Sequence, residues 1–141
     1  MSDPQFGGEG ILVERDDVAV IFKRVADDQA GITRGWAELE AAIGSLRGRK
    51  FYGAMYAPTR EYRVCVQMHQ DDRPDGMGLE VGTLPGGRYL RVTLQGDPPA
   101  VYELIAPTFA RLAKRADADP SRPGIEFYRR RDTIDLLLPI S

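Results

Sequence analysis

Several residue types are scarce in this chain of 141 residues. Cysteine occurs once, as Cys65, so neither a disulfide framework nor a cluster of thiolate zinc ligands can form, and a reducing compartment such as the cytoplasm is expected. Histidine also occurs once, as His69, which on an extended strand lies too far from Cys65 for a Cys–His nucleophile. The sequence has no glycine-rich phosphate loop and no metal-ligand spacing, so it predicts no cofactor and no metal.

Positive charge is not in excess. The sequence has 19 Lys and Arg residues and 21 Asp and Glu residues, so its formal net charge is -2. Nucleic-acid binding needs a basic face, so direct DNA binding is not expected, and the run Arg129-Arg130-Arg131 is interpreted as a solvated strand end. Because no apolar run approaches bilayer length and no basic-then-apolar leader is present, a membrane partner is not expected either.

The length and a hydrophobic share of 43% predict a single domain over residues 1–141, with a flexible leader at residues 1–10. A charged loop containing Pro74 and Gly76 divides the chain at residues 71–76. The same order of elements recurs on both sides of it, which predicts one repeat at about residues 11–70 and another at about 77–141.

The first half reads as strand, helix, strand, strand after an edge strand at residues 11–13. The predicted elements are a buried strand at 18–22, an amphipathic helix, and a hairpin of strands at 50–57 and 61–69. The helix is indicated by Trp36, Leu39 and Ile43, which recur at spacings of three and four. Thr33 is its expected N-cap, and Gly48 its expected end.

The second half repeats this order after a short edge strand within residues 77–83. It has a strand at 88–94, a helix at about 98–114 with Asp97 as its cap, and a hairpin of strands at 124–130 and 133–139. Pro107 predicts a bend in that helix. The fold class is therefore α+β, with two pseudo-symmetric βαββ repeats whose antiparallel sheets join or face each other around a central ligand groove.

These elements carry a resemblance to a known family. The matching stretches are Leu84-Pro85-Gly86-Gly87-Arg88-Tyr89, Gln95-Gly96, Glu126-Phe127-Tyr128, Leu138-Pro139-Ile140, and Trp36 with Leu39. In order and spacing they resemble the GyrI-like small-molecule-binding family, which also forms the effector-binding part of multidrug-responsive transcription regulators. The leader before Val18 is too short for the DNA-binding module of such regulators, so a stand-alone module is expected.

The candidate site combines one carboxylate with aromatic rings. Strand alternation places Glu126 and Tyr128 on one face, and a glutamate next to Ile125 and Phe127 is poorly explained by core packing. The predicted ligand-binding residues are Glu126, Tyr128, Tyr56, Tyr89, Tyr52, Tyr62, Met68, Trp36 and Phe109. In the alternative interpretation the tyrosines and Met68 are core residues, and Glu126 lies on an exposed edge strand paired with Arg130 or Arg91.

Three functions are compatible with this pattern. The leading one is non-catalytic binding of lipophilic, often cationic or aromatic, small molecules, since ring faces and a carboxylate both attract positive charge. By resemblance, the second is hydrolysis of reactive DNA-alkylating small molecules, in which Glu126 would activate water with help from Tyr128 or Tyr56. The third is a protein partner, as inhibitor of a topoisomerase. A homodimer through a strand edge is also possible.

Overall fold

The computed structural model describes residues 10–141, so nearly all of the predicted leader lies outside the described residues. The fold is α+β, built on one eight-stranded antiparallel sheet. In chain order the elements are β1 (Ile11–Arg15), β2 (Val18–Ala26), α1 (Gln29–Ile43), β3 (Phe51–Tyr56), β4 (Glu61–Gln67), α2 (Pro74–Met77), β5 (Glu80–Leu84), β6 (Gly87–Gln95), a 3-10 segment (Ala100–Leu104), α3 (Ile105–Arg115), β7 (Gly124–Arg130) and β8 (Thr133–Pro139). No helix in the described range is long and apolar enough to cross a membrane.

The predicted pair of βαββ repeats is confirmed. The strand order β1-β6-β8-β7-β3-β4-β2-β5 places the second repeat on one side and the first on the other. The two repeats join into one sheet through the antiparallel pair β3–β7. That ladder contains five facing pairs, of which Gly53↔Glu126 is the middle one. The pseudo-two-fold axis relating the repeats therefore passes between Gly53 and Glu126.

The edge strand of each repeat pairs with the other repeat. β1 precedes β2 in the chain but pairs with β6, whereas β5 precedes β6 and pairs with β2. A tight turn leads from β1 to β2, and another leads from β5 to β6. The two turns are in contact, because the Gly86 backbone N–H donates to Asp17 Oδ1 at 2.6 Å. A Cβ on Gly86 would lie 2.4 Å from the Arg15 carbonyl oxygen, so only glycine allows this approach. With the edge strand of each repeat paired to the other repeat, the sheet is curled into a half-barrel.

Both faces of the sheet are packed. The concave face is the interior of the half-barrel and buries Val20, Phe22, Tyr52 and Tyr89 among its core residues. The convex face carries α1 over the first repeat and α3 over the second, so the helices lie side by side on one surface. Because opposite faces of β2 enter different cores, its nearly continuous apolar run is explained.

The ends of α1 differ from the prediction. Asp28, not Thr33, caps the helix, because the Asp28 side chain accepts from the Gly31 backbone N–H at 2.6 Å while Thr33 lies inside the helix. The helix ends at Gly44, which has φ of 75°, and not at Gly48. Glycine is favoured at Gly44 because L residues seldom adopt this backbone conformation.

The second helix is divided, as its prolines indicated, but the division lies at Ile105 instead of Pro107. A 3-10 segment leads into α3, and Pro107 falls in the first turn of α3, where its missing N–H leaves no intrahelical bond unmade. The prediction that Asp97 caps the helix is wrong, because the segment begins after Pro99 and has no side-chain cap. The charged loop between the two repeats, predicted at residues 71–76, runs into the short helix α2.

Candidate functional site

A buried carboxylate lies at the centre of the convex face. Glu126, on β7, is only 5% exposed, and its Oε1 accepts hydrogen bonds from the Tyr62 and Tyr128 hydroxyls at 2.6 Å each. Since β7 lies between β8 and β3, the alternative interpretation of Glu126 as an exposed edge residue paired with Arg130 or Arg91 is wrong. A buried charge of this kind persists only where hydrogen bonds replace water.

The absence of a side chain at Gly53 leaves space for the hydrogen bonds between Glu126 and the tyrosines. Gly53 faces Glu126 across the β3–β7 ladder, and a Cβ there would lie 1.9 Å from Tyr62 Oη and 2.7 Å from Glu126 Oε1. The tyrosine from β4 therefore crosses above β3 to reach the glutamate on β7. A glycine inside a central strand usually marks such a close approach.

Burial controls the protonation of these three groups. It raises the pKa of Glu126, an effect that the hydrogen bonds from Tyr128 and Tyr62 oppose and that the negative charge of Asp27 adds to. Burial, followed by the charge of Glu126, raises the pKa of Tyr62 and of Tyr128 well above the ordinary value. Both phenols therefore stay protonated at neutral pH and act as donors to the carboxylate.

One oxygen of the carboxylate is not committed. Both hydroxyls donate to Oε1, and within residues 10–141 no hydrogen bond is made to Oε2. Oε2 can therefore accept a further hydrogen bond or meet a positive charge.

Aromatic rings surround this carboxylate on the helix side. Trp36 on α1 meets Tyr128 edge-on, with ring centroids 5.4 Å apart, and it also packs against Phe51 at 6.2 Å. Tyr102 on the 3-10 segment approaches Tyr128 from the other side at 6.3 Å. We call the convex surface between α1 and the 3-10 segment, above Glu126, the interhelix groove. Through these two contacts Trp36 lies against the sheet.

Sequence reasoning missed Tyr102. A regular helix over 98–114, with 3.6 residues per turn, places Val101, Leu104 and Ile105 on its inward side. The 3-10 segment has about three residues per turn, so the phase changes, Leu104 becomes exposed and Tyr102 points toward Tyr128. Only the local Pro98-Pro99 pair signalled irregular helix geometry here.

Three predicted site residues lie on the wrong face. The β3–β7 register pairs Tyr52 with Phe127 and Gly53 with Glu126, so Tyr52 and Tyr56 share the concave face with Phe127. Tyr89 is also fully buried in the concave core, where its hydroxyl donates to the Pro85 carbonyl oxygen. The prediction that these tyrosines share a face with Glu126 is therefore wrong, because facing residues of paired strands always point to the same side.

The other predicted site residues remain on the helix side. Tyr62 binds Glu126 directly, and Met68 packs in the same cluster as Tyr62 under α1. Phe109 belongs to the second cluster, beneath α3, where its ring would contact a Cβ on Gly124 at 3.5 Å. Of the nine residues predicted, Glu126, Tyr128, Tyr62 and Trp36 form one contact network.

A cleft of about 440 Å³ opens beside this network and is lined by Asp27, Met55, Ala57 and Arg60. Met55 lies two residues from Gly53 on the same face of β3, so the cleft adjoins the interhelix groove at the beginning of α1. Among residues 10–141, no three His, Cys, Asp or Glu side chains are grouped to hold a metal ion.

No protein-family profile matches this sequence, and no curated protein matches it. The fold, however, is shared with solved structures. An integron cassette protein from the mobile metagenome of Vibrio cholerae superposes with a TM-score of 0.75 at 17% identity, covering 94% of this chain and 96% of that one. The SAV2435 protein bound to tetraphenylphosphonium superposes at 0.64 with 15% identity over 94% of each chain. A hydrolase from Listeria innocua superposes at 0.60 with 10% identity, over 94% of this chain and 92% of that one.

Proposed function

We propose that this protein binds lipophilic, often cationic or aromatic, small molecules in the interhelix groove, as the GyrI-like resemblance implies. The observation that carries the proposal is the uncommitted Oε2 of buried Glu126 beside the rings of Trp36, Tyr128 and Tyr102. A partly desolvated carboxylate attracts a cation more strongly than a solvated one, and ring faces add quadrupole attraction. The fold shared with a protein that binds tetraphenylphosphonium, a lipophilic cation, supports the same ligand class.

The proposal is tested with tetraphenylphosphonium as probe and the fluorescence of Trp36, the single tryptophan, as readout. Glu126→Gln keeps the shape and the acceptor oxygen but removes the charge, so cation binding should weaken by about 1–3 kcal/mol. Glu40→Gln on the exposed side of α1 makes the same change away from the groove and should leave affinity unchanged. Affinity for the wild type should rise with pH as Glu126 loses its proton.

A neutral probe completes the design. Triphenylphosphine oxide presents three similar rings without a positive charge, so its affinity should change little between wild type and Glu126→Gln. If Glu126→Gln bound tetraphenylphosphonium as tightly as wild type does, the assignment of Glu126 as the anchor would be wrong.

The second candidate is hydrolysis of reactive electrophiles. It is favoured by the raised pKa of Glu126, which brings this carboxylate closer to the range of a general base, and by the fold shared with a hydrolase. In this reaction Oε2 takes a proton from water as the water oxygen attacks the electrophilic carbon, and the leaving group departs with the bonding electron pair. Product analysis after incubation with an epoxide tests it: turnover should be lost in Glu126→Gln and kept in Glu40→Gln. Equal turnover in both variants would refute the role.

A further inference from the structure

A second carboxylate lines the cleft that adjoins the interhelix groove. The cleft of about 440 Å³ is lined by Asp27, Met55, Ala57 and Arg60. Asp27 lies between the end of β2 and Asp28, the cap of α1. Its carboxylate makes no ion pair with any residue in the range 10–141. The cleft therefore has one acidic wall whose charge is not balanced by a protein partner.

This cleft is connected to the buried carboxylate through the packing of the convex face. Met55 is paired with Tyr62 in the β3–β4 ladder, and the Tyr62 hydroxyl donates to Glu126. Because Glu126 faces Gly53, two residues before Met55, Glu126 and Met55 are diagonal neighbours, roughly 7–8 Å apart. A ligand bound at Glu126 therefore reaches the Asp27 wall by extending over the Met55 side chain.

The charge of Asp27 also acts on Glu126. Burial is the main cause of the raised pKa of Glu126, and the negative charge of Asp27 raises this pKa further. The groups that lower it are Tyr128 and Tyr62, through their hydrogen bonds, and no arginine or lysine of residues 10–141 is among them. Glu126 and Asp27 thus form a pair of like charges, which two linked positive charges stabilise more than one does.

The rest of the cleft wall is one cation and two apolar side chains. Arg60 lies in the turn between β3 and β4, is exposed and makes no ion pair with any residue in the described range. Its positive charge opposes a cation bound at Asp27, although solvent screens an exposed guanidinium. Met55 and Ala57 supply apolar surface that a methylene chain can cover.

We propose that the interhelix groove and the adjoining cleft together bind an elongated dication, with one cationic group at Glu126 and the other at Asp27. The linker of the ligand covers Met55 and Ala57 between the two charges. This inference rests on the proposed function, since it assigns Glu126 the same role and adds Asp27 as a second anchor. A ligand with a single charge occupies the groove and gains nothing from Asp27 beyond a distant attraction.

The test compares two ligands that share a methylene chain. Decamethonium has a trimethylammonium group at each end, whereas decyltrimethylammonium has one such group and is kept below its micelle concentration. Binding to the full chain is followed by the fluorescence of Trp36. Asp27→Asn should weaken decamethonium binding about three- to fivefold, the range expected for an exposed ion pair, and should leave decyltrimethylammonium binding nearly unchanged.

Two further variants sharpen the comparison. Arg60→Gln removes the opposing charge, so it should strengthen decamethonium binding and leave decyltrimethylammonium binding unchanged. Asp117→Asn is the matched control, because Asp117 follows α3 and is separated by the length of that helix from the 3-10 segment that borders the groove. It should bind both ligands like wild type.

A loss confined to decamethonium in Asp27→Asn supports the proposal. Two results would overturn it and leave the proposed function intact: unchanged decamethonium binding in Asp27→Asn, or an equal loss for both ligands in that variant. Glu126→Gln identifies failure of the proposed function, since it should weaken both ligands. If neither ligand bound to wild type, or neither responded to Glu126→Gln, the proposed function and the dication site would both be wrong.

Discussion

At the scale of single residues, the feature that needs a physical explanation is the charge of Glu126 inside the sheet. Removing a carboxylate from water costs several kcal/mol, and the two tyrosine hydroxyls offset part of that cost through charge-assisted hydrogen bonds. Neither tyrosine can neutralise it, because burial and the glutamate itself keep both phenols protonated. A bound cation would lower the part of the Glu126 desolvation cost that the two hydrogen bonds do not offset.

The burial of the Glu126 carboxylate predicts that the stability of the protein depends on pH. The pKa of Glu126 is raised in the folded protein, so the folded state holds this proton more tightly than the unfolded chain does. Its contribution to the free energy of unfolding is therefore fully present below the unfolded pKa, near about 4.3, and is lost as pH rises through the folded value.

Urea unfolding of wild type and Glu126→Gln across pH 4 to 8 measures this contribution. The carboxyls of Asp119, Asp72 and Glu61 have lowered pKa values and act in the opposite direction, so only the difference between the two proteins is informative. The difference should shift in favour of Glu126→Gln as pH rises. A difference independent of pH would show that Glu126 is not perturbed by burial.

At the scale of secondary-structure elements, β3 is shaped by the glycine at its centre. Gly53→Ala would place a methyl group against Tyr62 Oη and Glu126 Oε1, so we expect a loss of about 1–3 kcal/mol in the free energy of unfolding. Gly124→Ala is the control, because its Cβ would meet Phe109 at ordinary contact distance. Adding Tyr62→Phe to Gly53→Ala should recover part of the loss. Equal effects of the two glycine substitutions in thermal unfolding would contradict the crowding argument.

The N-terminus of α1 gives a second test at this scale. Asp28→Ala removes the acceptor for the Gly31 N–H and should destabilise the protein by about 1 kcal/mol. Thr33→Ala lies inside the helix, where alanine has the higher helix propensity, and should cost nothing. Denaturant midpoints of the two variants distinguish them, and a larger loss for Thr33→Ala would mean that the helix begins later.

At the scale of the whole molecule, the exchanged edge strands make each repeat dependent on the other. A fragment of residues 1–72 contains β1 without its partner β6, and a fragment of residues 73–141 contains β5 without its partner β2. Each fragment also exposes one side of the β3–β7 ladder. We expect neither fragment to fold cooperatively alone and an equimolar mixture to regain the native circular dichroism spectrum. A monomeric, cooperatively folded fragment in size-exclusion chromatography would count against this interdependence.

The sequence predicted the order of elements along the chain, because alternation along a strand such as β6 is a local property that a period of two reveals. It also singled out Glu126, because a glutamate between Ile125 and Phe127 is poorly explained by core packing. It did not predict which face the first-repeat tyrosines share with Glu126. That depends on the register between β3 and β7, strands separated by about half the chain, and a shift of one residue exchanges every face. Tyr102 was missed for a local reason, since a 3-10 turn changes the phase of a helical pattern.

The position of Glu126 and Gly53 on either side of the pseudo-two-fold axis limits how such a site can arise. Two identical chains, each contributing one copy of the repeat, would place the same residue on both sides of the axis. Two glutamates there would bring like charges into contact, which strongly disfavours ionisation of both, and two glycines would leave no charged group. An intramolecular duplication removes this restriction, because the two copies can diverge at one position. A single anionic anchor beside the symmetry axis is therefore available to a fused pair of repeats and is denied to a symmetric dimer of single ones.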